Sequence, residues 1–422
     1  MKSFLKMILD NILSKPLYMN SVYIFIASLL GSVAGFFFWM LASRLYPPSE
    51  VGIASSVVSS LNLVMMISLV GLNTSLVRFY PEYKEQAVVT TLLIVPFFGV
   101  IVSATYLMIL TKISKNMKIL FLSNKTLIIL FVILSVLGAL YRIFETDLIV
   151  TKRGRDYITQ SLLLGSRVMF LPLFTSFGLV GIICSFGGGL TLGVLYSCFL
   201  ICPSLFLQSS TRLYTKPSKE YLSAAFKFSV GNYIASILSM TPNQLMPTLI
   251  LSYLGSTYAA YYYITTTIGS AILLFPIALN TSFFVEGSYG ENTKELLKKV
   301  ISTSFIYLAP VSVIIWFFGG KILSFFGKGY IEGLDLLRVI VVSGFPSVLL
   351  NFYVTLFNLK KQVQYVIMIM FFRLMLYLGL SYGLMSEYKI LGVGYAWLVT
   401  NTVLVCIITI FLLHAESMHK DS

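Results

Sequence analysis

The sequence predicts an all-α membrane protein that crosses the bilayer about twelve times. Apolar residues make up 57% of the chain, charged residues only 11%, and the mean hydropathy is +0.89. Ordinary soluble domains carry roughly 25% charged residues, so that class is excluded. Apolar runs of about 18 residues or more recur, and each can cross about 30 Å of hydrocarbon as a helix. A strand would leave its backbone polar groups unpaired in lipid, so these spans must be helices.

Polar breaks divide the chain into twelve predicted spans, six in each half. These are residues 20–43, 51–73, 87–111, 127–150, 156–177, 180–206, 224–252, 256–285, 297–318, 335–358, 362–384 and 389–413. The longest polar break, Leu207–Tyr221, separates the sixth span from the seventh. It predicts an N-terminal lobe, residues 1–207, and a C-terminal lobe, residues 208–422.

Two short repeats suggest that the halves arose by duplication. Leu72–Ser75 (Leu-Asn-Thr-Ser) recurs as Leu279–Ser282, and Ile26–Ser28 recurs as Ile234–Ser236 at almost the same half-chain offset. Chance is the alternative, because short identities arise easily in apolar sequence. Many secondary transporters consist of duplicated halves with the binding site between them. We therefore expect two pseudo-symmetric six-helix bundles.

The first nineteen residues and the charges in the loops indicate how the chain is placed in the membrane. Leu5, Ile8 and Leu9 share one helical face, which predicts a basic amphipathic segment in the headgroup layer; a frayed cytoplasmic tail is the alternative. Lysines and arginines are more frequent in the predicted inner segments, so we expect both termini in the cytoplasm and a multi-pass protein of the plasma or inner membrane. The lysine-rich Lys112–Lys125 loop, on the predicted outer side, opposes this rule. The net charge of +14 reflects the same bias beside anionic headgroups, and no nucleic-acid motif is present.

Three arginines lie inside predicted spans: Arg142, Arg167 and Arg373. An arginine at mid-helix costs about 2.5–3.5 kcal/mol on insertion scales, so it normally faces protein or a water-filled cavity. Its planar guanidinium remains charged and binds phosphate oxygens with two parallel hydrogen bonds. We therefore predict that these arginines bind phosphate. The alternatives are that Arg142 pairs with Glu145 or Asp147, and that Arg373 snorkels to a membrane surface.

Further polar side chains share helical faces in these spans, or fall at helical spacing on the first helix of the second lobe. The predicted cavity-lining residues are Gln160, Asn232, Ser236, Ser239, Asn243, Gln362 and Tyr377. Glu145 and Asp147 are candidates for coupling transport to protons or sodium.

Sequence signals for enzymatic chemistry are absent. Gly327-Lys328 lacks the spacing of a nucleotide-binding loop, and the two histidines, His414 and His419, lie near the C-terminus. No metal-ligand cluster and no paired carboxylates for hydrolysis are present. We predict no catalytic residue, no metal, no cofactor and no enzyme activity.

The stretch Leu45–Gly52 and the segment Gly71–Glu82 resemble the start of the Wzx-type polysaccharide biosynthesis flippases, a family of the multidrug/oligosaccharidyl-lipid/polysaccharide exporter (MOP) superfamily. The resemblance implies a V-shaped pair of six-helix bundles around a central cavity. It also implies alternating access, which carries an oligosaccharide on a polyprenyl phosphate or pyrophosphate from the inner to the outer leaflet for polysaccharide export. Lipid II flippases tend to carry an arginine early in the first span, whereas this chain has none before Arg44. The expected partners are the lipid-linked substrate, the bilayer and glycosyltransferases or a polymerase of the same pathway, and the expected state is a monomer.

Physical reasoning agrees with an anionic lipid-linked cargo. A sugar-phosphate head cannot enter hydrocarbon without replacement of its hydration. A cavity lined by Arg, Asn, Ser and Tyr would replace it. Two other functions stay open: a multidrug exporter of the same superfamily, which would need buried acids for cationic drugs, and a membrane-embedded glycan ligase or polymerase, which would need a large external loop.

Overall fold

The computed structural model describes residues 16–206, 217–289 and 292–420, and every regular element within these ranges is helical. Residues 1–15 of the predicted interfacial segment and 207–216 of the predicted linker lie outside the described residues. The α-helices are α1 (Pro16–Leu45), α2 (Pro48–Ser68), α3 (Leu72–Ile113), α4 (Lys115–Ser123), α5 (Lys125–Val150), α6 (Gly154–Gly165), α7 (Arg167–Leu173), α8 (Gly178–Phe206), α9 (Lys219–Tyr253), α10 (Ser256–Ile272), α11 (Leu274–Ser288), α12 (Thr293–Ser324), α13 (Leu334–Leu359) and α14 (Val363–Lys420). Short 3₁₀ helices cover Thr175–Phe177 and Lys328–Gly333.

The helices account for about twelve membrane crossings. Seven helical stretches in the described ranges are long and apolar enough to cross a membrane, and α10 with α11, bent by 47°, makes an eighth. Two of the seven, Pro48–Lys112 and Val363–His414, are long enough for two crossings and contain a backbone break. The pair α6–α7 and the 35-residue helix α9 complete the set. The predicted class, an all-α protein with about twelve spans, is confirmed.

Several breaks between spans use left-handed backbone. Val70 (φ 48°) and Gly71 (φ 75°) turn the chain between α2 and α3, while Lys84 (φ 42°) and Lys389 (φ 52°) interrupt α3 and α14. An L-residue in this region costs about 1–2 kcal/mol, so a helix does not continue through it. Backbone strain is therefore stored at Lys84 and Lys389, and also at Val70, Lys152 and Lys361, which have positive φ as well.

The chain folds into two compact units. Unit 1 holds the described residues up to Pro47 together with Val57–Tyr233; unit 2 holds Pro48–Ser56 and the described residues from Ile234 onward. In unit 2 the helices α11, α12 and α13 bury an apolar cluster around Phe283 and Phe352. The predicted lobes 1–207 and 208–422 remain a prediction about the internal repeat.

The two copies of the Leu-Asn-Thr-Ser repeat differ in local structure. The first copy begins α3, where Leu72 is buried and the Ser75 hydroxyl donates to the Ala225 carbonyl (3.1 Å). The second copy lies inside α11, where Thr281 and Ser282 are exposed. Each copy nevertheless follows a break between helices by a few residues.

Candidate functional site

The most strongly buried arginine of the described chain is Arg373, in the first half of α14. It is only 7% exposed, and its guanidinium carbon lies 4.4 Å from the centre of the Trp397 ring. Nη1 donates to Asn351 Oδ1 at 3.4 Å, and Nε is buried without an acceptor. Among the described residues no carboxylate pairs with Arg373. The side chain therefore does not snorkel, and it is a buried cation without a counter-charge.

Aromatic side chains complete the surroundings of this guanidinium. Tyr377, one helical turn after Arg373, is 2% exposed, and its hydroxyl shares a 3.2 Å hydrogen bond with the Tyr262 hydroxyl. The Tyr377 ring also meets the Trp397 ring edge-on, at 4.9 Å between centroids. Because guanidinium is delocalised and weakly hydrated, aromatic faces stabilise it in a buried position better than they would an ammonium.

Further buried hydroxyls lie at helical spacing from this cluster. Ser347 precedes Asn351 by one turn on α13, Ser381 follows Tyr377 by one turn, and Thr400 follows Trp397 by about one turn. The hydroxyl oxygens of the three residues are buried and have no hydrogen-bond partner within the described ranges. A buried polar group without a partner costs free energy. The interior of unit 2 thus contains a cation and several hydroxyl groups whose hydrogen bonds are unsatisfied within the described residues.

In unit 1, Arg167 is half-buried at the start of α7, beside two aromatic rings that also contact each other. Its guanidinium carbon lies 5.3 Å from the centre of the Phe38 ring and 5.2 Å from that of Phe186. Two glycines make room for it: a Cβ at Gly189 would lie 2.8 Å from Arg167 Cβ, and one at Gly35 would lie 3.1 Å from Nη2. The absence of side chains at Gly35 and Gly189 therefore lets the Arg167 side chain pack closely against α1 and α8.

The predicted polar face through Gln160 and Arg167 is interrupted. The helix α6 ends at Gly165 and α7 begins at Arg167, so the two side chains belong to separate helical segments. Gln160 is fully buried, and neither its amide nitrogen nor its amide oxygen has a hydrogen-bond partner among the described residues.

Arg142 differs from the other two arginines. Its side chain is 59% exposed, and Nη1 donates to Glu145 Oε2 at 2.9 Å. Glu145 also accepts a hydrogen bond from the Tyr157 hydroxyl at 2.6 Å. Asp147 is 4% exposed, and its carboxylate makes no hydrogen bond within the described ranges. The alternative in which Arg142 pairs with Glu145 is therefore the observed one, whereas ion coupling through Glu145 or Asp147 stays a prediction.

The remaining predicted cavity-lining residues with described side chains are more exposed than Arg373 and Tyr377. Ser236, Ser239 and Asn243 are exposed on α9, and Gln362 is partly buried in the turn before α14. The side chain of Asn232 lies outside the described residues. Of the predicted residues, the contacts bring Arg373 and Tyr377 into one cluster.

Sequence reasoning missed Asn351 and Trp397. An asparagine inside an apolar span was a usable signal for Asn351, because amides are costly in lipid. Trp397 carries no such signal among the many aromatic residues of the spans. In the described chain, no group of three or more His, Cys, Asp or Glu is arranged to hold a metal ion.

No protein-family model and no curated protein matches the chain. Solved structures do. An inward-facing multidrug resistance MATE family transporter of the MOP superfamily matches with a TM-score of 0.72 at 14% identity, over 94% of this chain and 99% of that one. This chain therefore shares the fold of that transporter.

Two further structures share the fold. The lipid II flippase MurJ in an inward closed conformation gives a TM-score of 0.68 at 14% identity, over 93% of this chain and 87% of MurJ. A MOP superfamily transporter from Pyrococcus furiosus gives 0.63 at 15% identity, over 97% of each chain. At these identities the likeness establishes a multi-pass membrane fold and leaves the substrate open.

Proposed function

We propose that this protein is a flippase that carries an anionic oligosaccharide on a polyprenyl phosphate or pyrophosphate from the inner to the outer leaflet by alternating access. The observation that carries the proposal is Arg373, a guanidinium 7% exposed inside a membrane fold and without a carboxylate partner among the residues that the structure describes. An uncompensated buried charge is expensive, and an intramembrane ionisable residue is by default a functional one. An anionic substrate would supply the missing charge.

The half-buried Arg167 adds a second cation, in unit 1, for the same kind of cargo. Guanidinium groups bind phosphate with two parallel, charge-assisted hydrogen bonds. The buried hydroxyls one helical turn from Asn351, Tyr377 and Trp397 are available as donors to sugar or phosphate oxygens that have lost their water. No bond is broken in such a transfer. With the cell interior negative, outward movement of each negative charge is favoured by about 2.3 kcal/mol per 100 mV.

Two resemblances support this direction. The stretch from Leu45 to Glu82 resembles Wzx-type flippases, and the fold is shared with the lipid II flippase MurJ. The Pyrococcus furiosus transporter is described by a reverse polarity of its binding pocket that suggests a different function. Pocket charge is therefore a reasonable guide to cargo within this fold.

A multidrug exporter is the second candidate, and one observation favours it. Asp147 is a buried carboxylate of unit 1, the kind of group that would bind a cationic drug, and one of the structures with this fold is a multidrug transporter. Against it, Arg167 and Arg373 would repel a cation from their own surroundings.

Flipping in liposomes tests the proposal directly. We expect the purified protein to move a fluorescent polyprenyl diphosphate-linked sugar between leaflets, faster when the acceptor side is made positive. Arg373→Gln and Arg167→Ala should each lower the initial rate by at least a hundredfold, because the phosphate loses its ligand. Arg373→Lys should retain part of the rate, since it keeps the charge and loses the planar fork.

Arg142→Gln is the matched control, because Arg142 is exposed and already paired with Glu145; it should stay within about threefold of wild type. Wild-type flipping by Arg373→Gln would remove Arg373 from the substrate site. Absence of flipping, together with export of a cationic dye that Asp147→Asn abolishes, would replace the proposal by the multidrug function.

A further inference from the structure

A shallow cavity of about 610 Å³, largely open to the outside, lies at the surface of unit 1 at the start of α3. The end of α5 contributes Thr146 and Ile149 to its wall, and α9 contributes Phe228. The lining combines polar and apolar side chains, and neither Arg142, Arg167 nor Arg373 belongs to it.

Asn73, Thr74 and Arg78 are polar residues of the lining. Arg78 is the charged side chain of the lining, and Glu82 and Asp147, which lie next to lining residues in the sequence, are not part of it. Within the described ranges the side chains of Asn73, Thr74 and Arg78 make no hydrogen bond and no ion pair. Asn73 and Thr74 also stand in the first turn of α3, where backbone N–H groups lack helical acceptors and carry partial positive charge. All of these groups favour an anion.

Apolar side chains also line the cavity. Val77 is 52% exposed and Phe228 is 39% exposed, and Ile149 belongs to the same lining. Exposed apolar side chains next to an arginine suit a ligand with a charged head and a hydrocarbon chain. Free phosphate would contact only the polar residues of the lining.

The wall from α9 is held firmly against α3. The Ser229 hydroxyl donates to the Gly71 carbonyl at 3.0 Å and lies directly beside the Ser75 hydroxyl. The rings of Phe79 and Phe228 meet edge-on at 5.6 Å between centroids. Gly71 is left-handed, and a Cβ there would lie 2.7 Å from Ser229 Cβ, so the close approach depends on glycine. The cavity is therefore shaped before any ligand binds.

We propose that this cavity binds the phosphate ester of a membrane lipid, with Arg78 as the ligand of the phosphate, Asn73 and Thr74 as hydrogen-bond donors, and Val77 and Phe228 in contact with the hydrocarbon. The cavity lies at the end of unit 1 that the loop charges place in the cytoplasm. The further assignment of the lipid as the polyprenyl phosphate carrier, captured from the inner leaflet, rests on the proposed function.

Equilibrium binding to the purified full-length protein in non-ionic detergent tests this site. The probes are farnesyl phosphate, farnesol, inorganic phosphate and dioleoyl phosphatidic acid. All variants carry Arg373→Gln in addition, which removes the buried arginine that is also predicted to bind phosphate. We expect farnesyl phosphate to bind at least tenfold more tightly than farnesol or inorganic phosphate. Arg78→Gln should weaken it at least tenfold, and Arg78→Lys less.

Two further variants separate recognition from folding. Thr74→Asp places a carboxylate in the cavity, yet an acid in the first turn favours a helix, so the fold should persist while binding falls. Lys84→Gln removes a cation of the same helix that does not line the cavity, and it should bind like wild type.

Equal affinity for farnesol, or unchanged binding by Arg78→Gln, would overturn the site. Equally tight binding of inorganic phosphate would overturn the lipid part. If phosphatidic acid binds as tightly as farnesyl phosphate, the site is supported and the carrier-lipid assignment is overturned. Binding without any flipping by the wild type would support the site while the proposed function fails.

Discussion

Asp147 of unit 1 and Arg373 of unit 2 are the charged residues less than a tenth exposed in the part of the chain that the structure describes, and they differ in sign and surroundings. Arg373 stacks on Trp397 and touches Asn351, whereas the Asp147 carboxylate has no hydrogen bond to a described residue. A carboxyl group can take up a proton and become neutral, while a guanidinium keeps its charge. The comparison teaches that Asp147 can adjust to burial by itself, but Arg373 needs an external anion for neutrality.

The sharpest test of this difference is protein stability. Arg373→Met removes an uncompensated charge whose burial costs about 2.5–3.5 kcal/mol and loses a cation–π contact worth about 1 kcal/mol. We expect the free energy of unfolding to rise by about 2 kcal/mol while transport is lost. The measurement is an SDS-titrated unfolding transition in mixed micelles.

Asp147→Asn is the matched variant of unit 1. It should change the unfolding free energy less than Arg373→Met does, because a carboxyl group that can bind a proton need not be buried as an ion. A loss of stability in Arg373→Met would mean that the guanidinium is compensated within the fold, and the contrast between the two residues would then disappear.

A smaller effect is expected from the backbone breaks, which the two units share. Lys84 (φ 42°, ψ −124°) in unit 1 and Lys389 (φ 52°, ψ −134°) in unit 2 have nearly the same strained conformation. Glycine adopts it without a steric penalty, so Lys84→Gly and Lys389→Gly should each stabilise the protein by about 1 kcal/mol.

Lys298, exposed in α12, provides the control for these substitutions. Lys298→Gly should destabilise by about 1 kcal/mol, because glycine lowers helix propensity there. Destabilisation by glycine at both breaks would show that lysine side-chain contacts outweigh the backbone strain; at Lys389 that contact is the Tyr258 ring, 5.4 Å from Nζ.

The smallest effect belongs to the Arg142–Glu145 pair. Arg142 is 59% exposed, and exposed ion pairs contribute about 0.2–1 kcal/mol. A double-mutant cycle with Arg142→Gln and Glu145→Gln should therefore give a coupling of about 0.5 kcal/mol in the unfolding free energy. A coupling above about 2 kcal/mol would place this pair among the buried charges and remove its use as a control.

The sequence was enough to predict the membrane spans, because the hydropathy of a segment depends only on the residues within it. The predicted spans 127–150 and 335–358 differ from α5 and α13 by only a few residues, since each helix ends where the apolar run meets a charged turn. The break at Ser166 was not predicted, because Gly165-Ser166-Arg167 lies within a run that is apolar on both sides.

For the candidate site, hydropathy identified the arginines within the spans but did not predict which side chains each arginine contacts. Arg142, Arg167 and Arg373 look alike as cations within apolar runs, yet Arg142 is paired with Glu145, Arg167 lies beside two phenylalanines and Arg373 stacks on Trp397. Glu145 was within reach of sequence reasoning, being one helical turn from Arg142. Trp397 lies 24 residues after Arg373, beyond the break at Lys389, so its contact depends on how the two parts of α14 fold together.

By itself, the sequence determined that this protein is a bundle of membrane-spanning helices with permanent cations among them, because the transfer of each side chain into hydrocarbon is a property of that side chain and its near neighbours. Only the tertiary structure decided which cation lacks a counter-charge and which polar residues surround a cavity. Those properties depend on side chains brought together from distant parts of the chain, and a coulombic or hydrogen-bonded contact acts over a few ångströms of space regardless of separation in sequence.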